Sequence, residues 1–270
     1  MSVFHLILSG ILIGTGVVLP GVSGSVIAII MGVYDYIIYL LNDSELNSYS
    51  KIVKLLPIML GLIFGIILFG NVLLIFYKYF KYEMMYIFIG LILGEVPLLM
   101  KKVKQKKSEK INGLLLFSSI LISFLLVFLP NIFDISNSNS FNPLNLFIAG
   151  LLYISGKIIP GISSSLFLMI LGLYEYILNI LSNPLSLTLS EFIMLIPFFI
   201  GIIIGMVFLV KLINYLLNNH FSKTYSVIIG FVIGSVFALY PGFEMGVRGL
   251  IYILLMAGSF GIVYKLSKKN

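Results

Sequence analysis

The chain has 270 residues, of which 60% are hydrophobic and only 10% are charged. Soluble domains are about half apolar and about a quarter charged, so this composition excludes a cytosolic enzyme and a disordered chain. Cysteine is absent, which excludes a disulfide scaffold, and the two histidines, His5 and His220, are too far apart to predict a metal site. We therefore expect a polytopic membrane protein without a metal or another cofactor.

Ten apolar segments follow one another along the chain, with polar residues or Pro and Gly between them. They lie near 3–19, 24–41, 52–80, 84–100, 112–132, 144–159, 163–181, 191–217, 225–240 and 247–265. Only a Pro-Gly and a group of serines separate the first segment from the second, and the same holds for the sixth and seventh. Each of these pairs is therefore expected either to span the membrane twice or to form a re-entrant hairpin.

Positive charge predicts which side of the membrane each loop occupies. Six lysines cluster between Lys101 and Lys110, and loops rich in Lys and Arg usually stay in the cytoplasm. The loop 131–143 has no Lys or Arg and is expected outside. Counting the membrane crossings in both directions from the basic loop predicts that both termini lie in the cytoplasm. The same cluster explains the net charge of +7 without nucleic-acid binding.

The two halves of the chain resemble each other at an offset of 140 residues. Residues 10–41 share 13 of 32 identities with residues 150–181, and matched glycines keep this register as far as Gly94 and Gly234. Each repeat holds four segments, and one extra segment at 112–132 lies between them, so the second repeat is expected to enter from the opposite side. Inverted repeats with broken helices are typical of secondary transporters.

The expected fold is therefore an all-α polytopic membrane protein. Two inverted-topology repeats would contain paired broken or re-entrant helices that meet at Pro-Gly-x-Ser tips. The expected division is repeat 1 at 1–100, a basic loop and linking helix at 101–140, repeat 2 at 141–240, and a closing helix with a basic tail at 241–270.

The two tips carry the chemistry expected of a binding site. Each Pro-Gly breaks a helix, the serines can cap the next helix, and free amides at a helix start attract anions. Two such tips that meet by pseudo-symmetry would hold one phosphate, whereas capping alone would not explain two Pro-Gly breaks at matched positions. The predicted substrate-binding residues at the tips are Pro20, Gly21, Ser23, Gly24, Ser25, Pro160, Gly161, Ser163, Ser164 and Ser165.

Two basic residues are further candidates for binding an anion. Lys157 lies three residues before the second Pro-Gly in an apolar stretch. A buried ammonium is costly in a membrane and usually marks a pathway, although Lys157 could instead reach the interface or pair with a carboxylate. Arg248 would either bind a phosphate at the outer mouth or anchor the last helix.

Asp35 and Glu175 are matched acidic residues, eleven positions after Gly24 and Ser164. On a straight helix this spacing places them about 16 Å from the tips. Inversion would put one near each membrane face, so we predict that they couple transport to protons. The alternative is an interfacial girdle in which each acid lies between two tyrosines.

At these motifs the sequence resembles the polyprenyl-phosphate transporter family. The first signature runs from Pro20 through Ser25 and continues at Met31–Asp35, and the second comprises Pro160–Ser163 and Leu171–Glu175. Val17 stands where the family commonly has Asp, the second motif reads Ser-Ser-Ser where Ser-Gly-Ser is usual, and Lys157 replaces an apolar residue.

The resemblance implies that the chain is not an enzyme but flips undecaprenyl phosphate, the lipid carrier of cell-wall precursors, back across the bacterial cytoplasmic membrane. The implied partners are this polyprenyl phosphate and membrane lipids, without nucleic acid. A homo-oligomer is a further possible assembly.

Two other functions share features with this chain. A secondary transporter of a small ion or solute would have the same architecture. Undecaprenyl-diphosphate phosphatases are similar in length and carry a Pro-Gly-x-Ser-Arg-Ser motif, but Gly24 and Ser164 stand where that arginine would be. Neither tip is preceded by a glutamate-rich motif that could supply acid-base catalysis.

Overall fold

The computed structural model describes residues 1–20, 24–43, 47–105, 110–125, 142–159, 162 and 164–269, apart from the side chains of 25, 26, 41, 42 and 266–269. Within these ranges the chain is α-helical and has no β-strand, which confirms the all-α prediction. The helices are α1 Val3–Val18, α2 Gly24–Ile30, α3 Tyr34–Asn42, α4 Ser48–Tyr79, α5 Lys81–Gln105, α6 Gly113–Leu125, α7 Pro143–Ile158, α8 Ser164–Ile170, α9 Tyr174–Ser182, α10 Leu189–Asn219, α11 Phe221–Leu239 and α12 Val247–Lys269.

Five of the described helices are long and apolar enough to cross a membrane, namely α4, α5, α10, α11 and α12. The chain is thus a multi-pass membrane protein, as its composition predicts. The helices α1 and α7 have 16 residues each. They would reach about 24 Å along their axes, which is less than the roughly 30 Å of a bilayer core.

The segments expected as continuous helices at 24–41 and 163–181 are each broken in two. Gly32 and Gly172 adopt φ values of +67° and +71°, a left-handed conformation that glycine reaches without strain. Around the first break, Val33 N–H donates to Ala28 C=O at 3.0 Å, which closes a Schellman motif. Asp35 and Glu175 therefore start new helices, and the prediction that a straight helix joins them to the tips is wrong.

Glycines bring α1 against α4 and α7 against α10. A Cβ on Gly61 would overlap the carbonyl oxygen of Ile7, and a Cβ on Gly201 would overlap that of Phe147. Along α1, Gly10 lies beside Gly61, and Gly14 lies beside the next turn of α4, near Gly65. Because the contact positions rise together, α1 and α4 run parallel. The glycine pairs spaced four residues apart thus serve close helix packing.

The helices α6 and α12 are exchanged between the two halves. Gly90 of α5 contacts Met256 of α12, whereas Gly230 of α11 contacts Leu116 of α6. Met256 and Leu116 are themselves 140 positions apart. The offset therefore continues through α6 and α12, which lie outside the repeat boundaries expected from the sequence. This exchange interlocks the two halves.

Candidate functional site

The two broken-helix units form antiparallel pairs, which we call hairpin 1 (α1 and α2) and hairpin 2 (α7 and α8). In hairpin 1, Pro20 is buried, and a Cβ on Gly24 would come into van der Waals contact with Ile13. The remaining tip residues of the predicted site, Gly21, Ser23, Pro160, Gly161 and Ser163, lie outside the described residues, as does the side chain of Ser25.

The end of hairpin 1 meets hairpin 2 in a narrow space that we call the tip cleft. The cleft is lined by Val17, Val18, Tyr153, Ser165, Leu168, Tyr174, Ile177, Leu178 and Leu181. The hydroxyl of Tyr174 donates a hydrogen bond of 2.9 Å to the carbonyl oxygen of Val18. The structure thus brings Ser165, one of the predicted residues of the second tip, to the end of α1.

Ser164 presents a buried hydroxyl at the second tip. Its side chain is 2% exposed, and its Oγ has no hydrogen-bond partner among the described residues. An unpaired buried hydroxyl costs about 1–3 kcal/mol, so such groups in native proteins call for an explanation. Ser165, the next residue, is also buried. A bound acceptor such as a phosphate oxygen would satisfy Ser164.

Lys157 lies in the last turn of α7, directly before the second tip. Its side chain is exposed, and its Nζ lies 5.8 Å from the ring centroid of Tyr153. No described carboxylate forms an ion pair with Lys157, so the structure does not show the carboxylate pairing that the sequence allowed as an alternative. Because Tyr153 lines the tip cleft, the ammonium group stands beside this cleft rather than remote from it.

The two matched acids lie away from the cleft, in the first turns of α3 and α9, and both side chains are exposed. Their flanking tyrosines are not equivalent. Tyr174 is 4% exposed and contacts the rings of Tyr77 and Phe88, whereas Tyr34 is 39% exposed. An interfacial girdle is therefore wrong for Tyr174, which belongs to the protein core.

Arg248 is at the start of α12 and forms an exposed ion pair with Glu244, with 3.4 Å between Nη1 and Oε2. It does not line the tip cleft. Arg248 therefore does not join Ser165 in the lining of the cleft. An exposed pair of this kind contributes little stability.

The two hairpins are packed differently. Residues of hairpin 2 and α9 join the central core, which also contains Val18, Leu73 and Phe88, while hairpin 1 forms a separate cluster around Ile13 and Ala28. In addition, α9 docks on α4, where Asn71 Nδ2 donates to Ser182 C=O at 3.1 Å. The matched helix α3 leaves several apolar side chains exposed, which are Tyr34, Ile38 and Tyr39.

Tyr153 and Tyr174 line the tip cleft, although the sequence motifs did not predict them as residues of the site. Tyr153 precedes Lys157 by one helical turn within an apolar stretch, and that spacing could have indicated it. Tyr174 matches Tyr34 in the repeat. Its role depends on contact with residue 18, which local sequence does not encode.

Comparison with known proteins finds one family and two relatives, all named for translocation or transport of a polyprenyl phosphate. The model of a family described as undecaprenyl phosphate translocase-like matches residues 1–96 and 50–248. A polyprenyl-phosphate transporter from Staphylococcus aureus (strain NCTC 8325 / PS 47) is 28% identical over 268 residues, which cover 97% of this chain and 94% of the relative. A polyprenyl-phosphate transporter from Vibrio cholerae serotype O1 is 27% identical over 256 residues, covering 89% and 79%. No solved structure matches the chain. The family and both relatives are named for transport, which favours a transporter over an enzyme.

Proposed function

We propose that this chain, which belongs to the undecaprenyl phosphate translocase-like family, carries polyprenyl phosphate across the bacterial plasma membrane. Undecaprenyl phosphate is the substrate that the family description favours. The observation that carries the proposal is the meeting of hairpin 1 with hairpin 2 at the tip cleft, which Ser165 and Tyr153 line. The neighbouring Ser164 has a buried hydroxyl without a hydrogen-bond partner among the described residues, and Lys157, beside Tyr153, forms no ion pair with a described carboxylate.

The groups at this cleft match the chemistry of a phosphate monoester, but the cleft has a volume of only about 10 Å³ in this conformation and must open to admit the head. Ser164 offers a donor that lacks a protein acceptor, and Lys157 offers a charge-assisted hydrogen bond, which is about twice as strong as a neutral one. Fixed donors of this kind replace water around the anionic head while it crosses the hydrocarbon layer. The isoprenoid tail can stay in lipid throughout, because only the head needs a polar path.

Inverted repeats supply a means of opening the cleft to each side in turn. Asn112 N–H, at the start of α6, donates to Ser226 Oγ in the first turns of α11 at 2.9 Å. In the same turns, Ser222 Oγ donates to the carbonyl oxygen of Lys110, which follows the end of α5 by five residues. The chain that leaves α5 thus reaches the start of its counterpart α11, which supports opposite directions for the repeats. Repeats of opposite direction expose a shared site alternately to the two faces.

The unequal packing of the two hairpins fits one end of such a cycle. Hairpin 2 and α9 contribute many of the described residues of the central core, whereas hairpin 1 contributes Val18, with Leu19 packed against it, and otherwise packs with α3 in a separate cluster. In the opposite state the matched contacts would exchange, with α3 against α10 and the hydroxyl of Tyr34 against Ile158, the counterpart of Val18. The asymmetry of this structure would then represent one of two related conformations.

The test is flipping of a fluorescent polyprenyl phosphate in proteoliposomes. We expect Lys157→Met to slow flipping about tenfold or more, because it removes a charge-assisted contact. Ser164→Ala should also slow flipping without lowering thermal stability, since no protein hydrogen bond is lost. Lys211→Met, which removes an exposed charge from α10, is the matched control and should flip at the wild-type rate.

Two further arms separate the alternative functions. Release of inorganic phosphate from the polyprenyl diphosphate would indicate a phosphatase. An inactive wild-type protein in both assays would favour a transporter of a small ion or solute. Equal rates for wild type, Lys157→Met and Ser164→Ala would refute the site at the tip cleft while leaving the transport function in place.

A further inference from the structure

A second and larger cavity lies outside the tip cleft, between the last turns of α4 and the start of α9. Its volume is about 570 Å³. Leu74, Ile75 and Lys78 form one wall, while Glu175, Tyr176 and Asn179 form the other. The transport proposal assigns no binding role to this space, although its size is in the range of small-molecule sites.

Polar groups in this cavity are suited to an anionic head. Lys78 is exposed, and no ion pair joins its ammonium to a described carboxylate. The amide oxygen of Asn179 accepts a hydrogen bond of 3.1 Å from Asn183 Nδ2, which leaves the Asn179 amide N–H groups as the end available to a ligand. One cation and one amide donor thus face the same space.

The other wall of the cavity suits an apolar tail. Ile75 is 57% exposed on the outer face of α4, whereas the neighbouring Leu74 is half-buried and packs against the central core. Neighbouring apolar side chains on α4, including Val72 and Phe76, are also exposed. In a membrane this face contacts lipid, so a ligand could place its head beside Lys78 while its hydrocarbon chain stays in the bilayer.

The cationic group is present on only one side of the molecule. In the other repeat, the position that matches Lys78 is Asn218. The position that matches Glu175 is Asp35, so the acid is present in both repeats but the lysine in only one. The end of α4 connects directly to the start of α5, and α5 ends at the basic loop. If the basic loop is cytoplasmic, the cavity faces outward and its counterpart inside lacks the cation.

We infer that this cavity is a loading site for a lipid phosphate on the outer face, with Lys78 binding the phosphate head and Leu74 and Ile75 contacting the tail. This inference rests on the proposed function. The ligand would then pass inward to the tip cleft, and the absence of a matching lysine inside would favour release there.

The experiment measures binding at the cavity itself. The protein in phosphatidylcholine nanodiscs is titrated with farnesyl phosphate that carries a diazirine on its tail, and the crosslinked yield on the α4 peptide containing Leu74 and Ile75 gives the dissociation constant. We expect Lys78→Met to weaken binding tenfold or more and Lys78→Arg to retain it. The control Lys81→Met removes a charge near the same end of α4 but outside the cavity lining, and should change binding less than twofold.

Glu175→Gln should change the binding affinity in the opposite direction to Lys78→Met. Removing a negative charge beside an anionic head should tighten binding of farnesyl phosphate, whereas a site for a cationic ligand would lose affinity. Unchanged binding in Lys78→Met, or an equal loss in Lys81→Met, would overturn the inference. It would also be overturned if farnesol or inorganic phosphate competed as well as unlabelled farnesyl phosphate, because the site would then recognise only a tail or only a free anion.

The same variants distinguish this inference from the transport proposal. If wild-type protein does not flip polyprenyl phosphate but Lys78-dependent crosslinking persists, the transport proposal fails, and the cavity stands as a binding site for a lipid phosphate but not as a loading site. If wild-type protein flips the lipid and Lys78→Met both crosslinks and flips normally, the loading site fails and the transport proposal stands.

Discussion

The hydrogen bond from Tyr174 to Val18 gives the sharpest test of how α9 is held against the end of α1. The carbonyl of Val18 lies in the last turn of α1, where helix carbonyls have no partner within the helix. Val18 is 2% exposed, so water cannot easily replace the tyrosine hydroxyl. Tyr174→Phe keeps the ring in the core but removes the donor.

The size of the effect follows from leaving a buried acceptor unpaired. Such a loss costs about 1–3 kcal/mol, which corresponds to a change of about 5- to 150-fold in an equilibrium constant. The cost falls on the docked state, because the undocked carbonyl can find another partner. We therefore expect Tyr174→Phe to raise the population of undocked α9 by this factor.

Hydrogen exchange of α9 amides in nanodiscs, followed by mass spectrometry, reports this opening directly. Peptides covering Tyr174–Ser182 should exchange about 5- to 150-fold faster in Tyr174→Phe. Tyr34→Phe is the matched control, because Tyr34 is the repeat counterpart and is 39% exposed in this conformation. The control should leave α9 exchange unchanged.

The reasoning would be refuted if Tyr174→Phe and Tyr34→Phe accelerated α9 exchange equally, or if neither changed it. Equal acceleration would indicate a general loosening of the aromatic core. No change would mean that the hydrogen bond does not hold α9 in place.

Two further predictions concern packing and exchange of the hairpins. Gly90→Ala should lower the melting temperature, because its Cβ would overlap the carbonyl oxygen of Met256. Overpacking of this kind typically costs about 1–3 kcal/mol. As a control, Gly258→Ala on α12 places its Cβ in open space and should not lower the melting temperature. In this chain without cysteine, Ile38→Cys with Val210→Cys places thiols at the counterparts of the docked Leu178 and Gly70. These thiols should form a disulfide only during active transport, and failure to crosslink under any transport condition would contradict the exchange of hairpins.

Much of the local structure was predictable from the sequence, because it depends on residues close together in the chain. Apolar runs placed the helices, and the Pro-Gly pairs placed the breaks before α2 and α8. The second breaks, at Gly32 and Gly172, were not predicted from the sequence, although these two glycines occupy matching positions in the repeats. A glycine inside an apolar run is compatible with a continuous helix, and only the Schellman hydrogen bonds show that the chain turns there.

The offset of 140 residues also determined which helices correspond, since matched sequences form matched elements. It did not determine which helices touch. The exchange of α6 and α12 between the halves depends on contacts such as Gly90 with Met256, which are more than 160 positions apart. Apolar helices have many partners of similar affinity in a membrane, so close packing at small residues selects among them.

The tertiary structure alone decided the state of the two hairpins. Their sequences share 13 of 32 residues, including Tyr34 and Tyr174, yet Tyr174 is buried against Val18 while Tyr34 is exposed. The two packings that the proposed transport cycle requires would differ little in free energy, so local sequence would not decide between them. What separates them is a small set of contacts between distant residues, and these contacts also place Ser165, Tyr153 and Lys157 around one cleft.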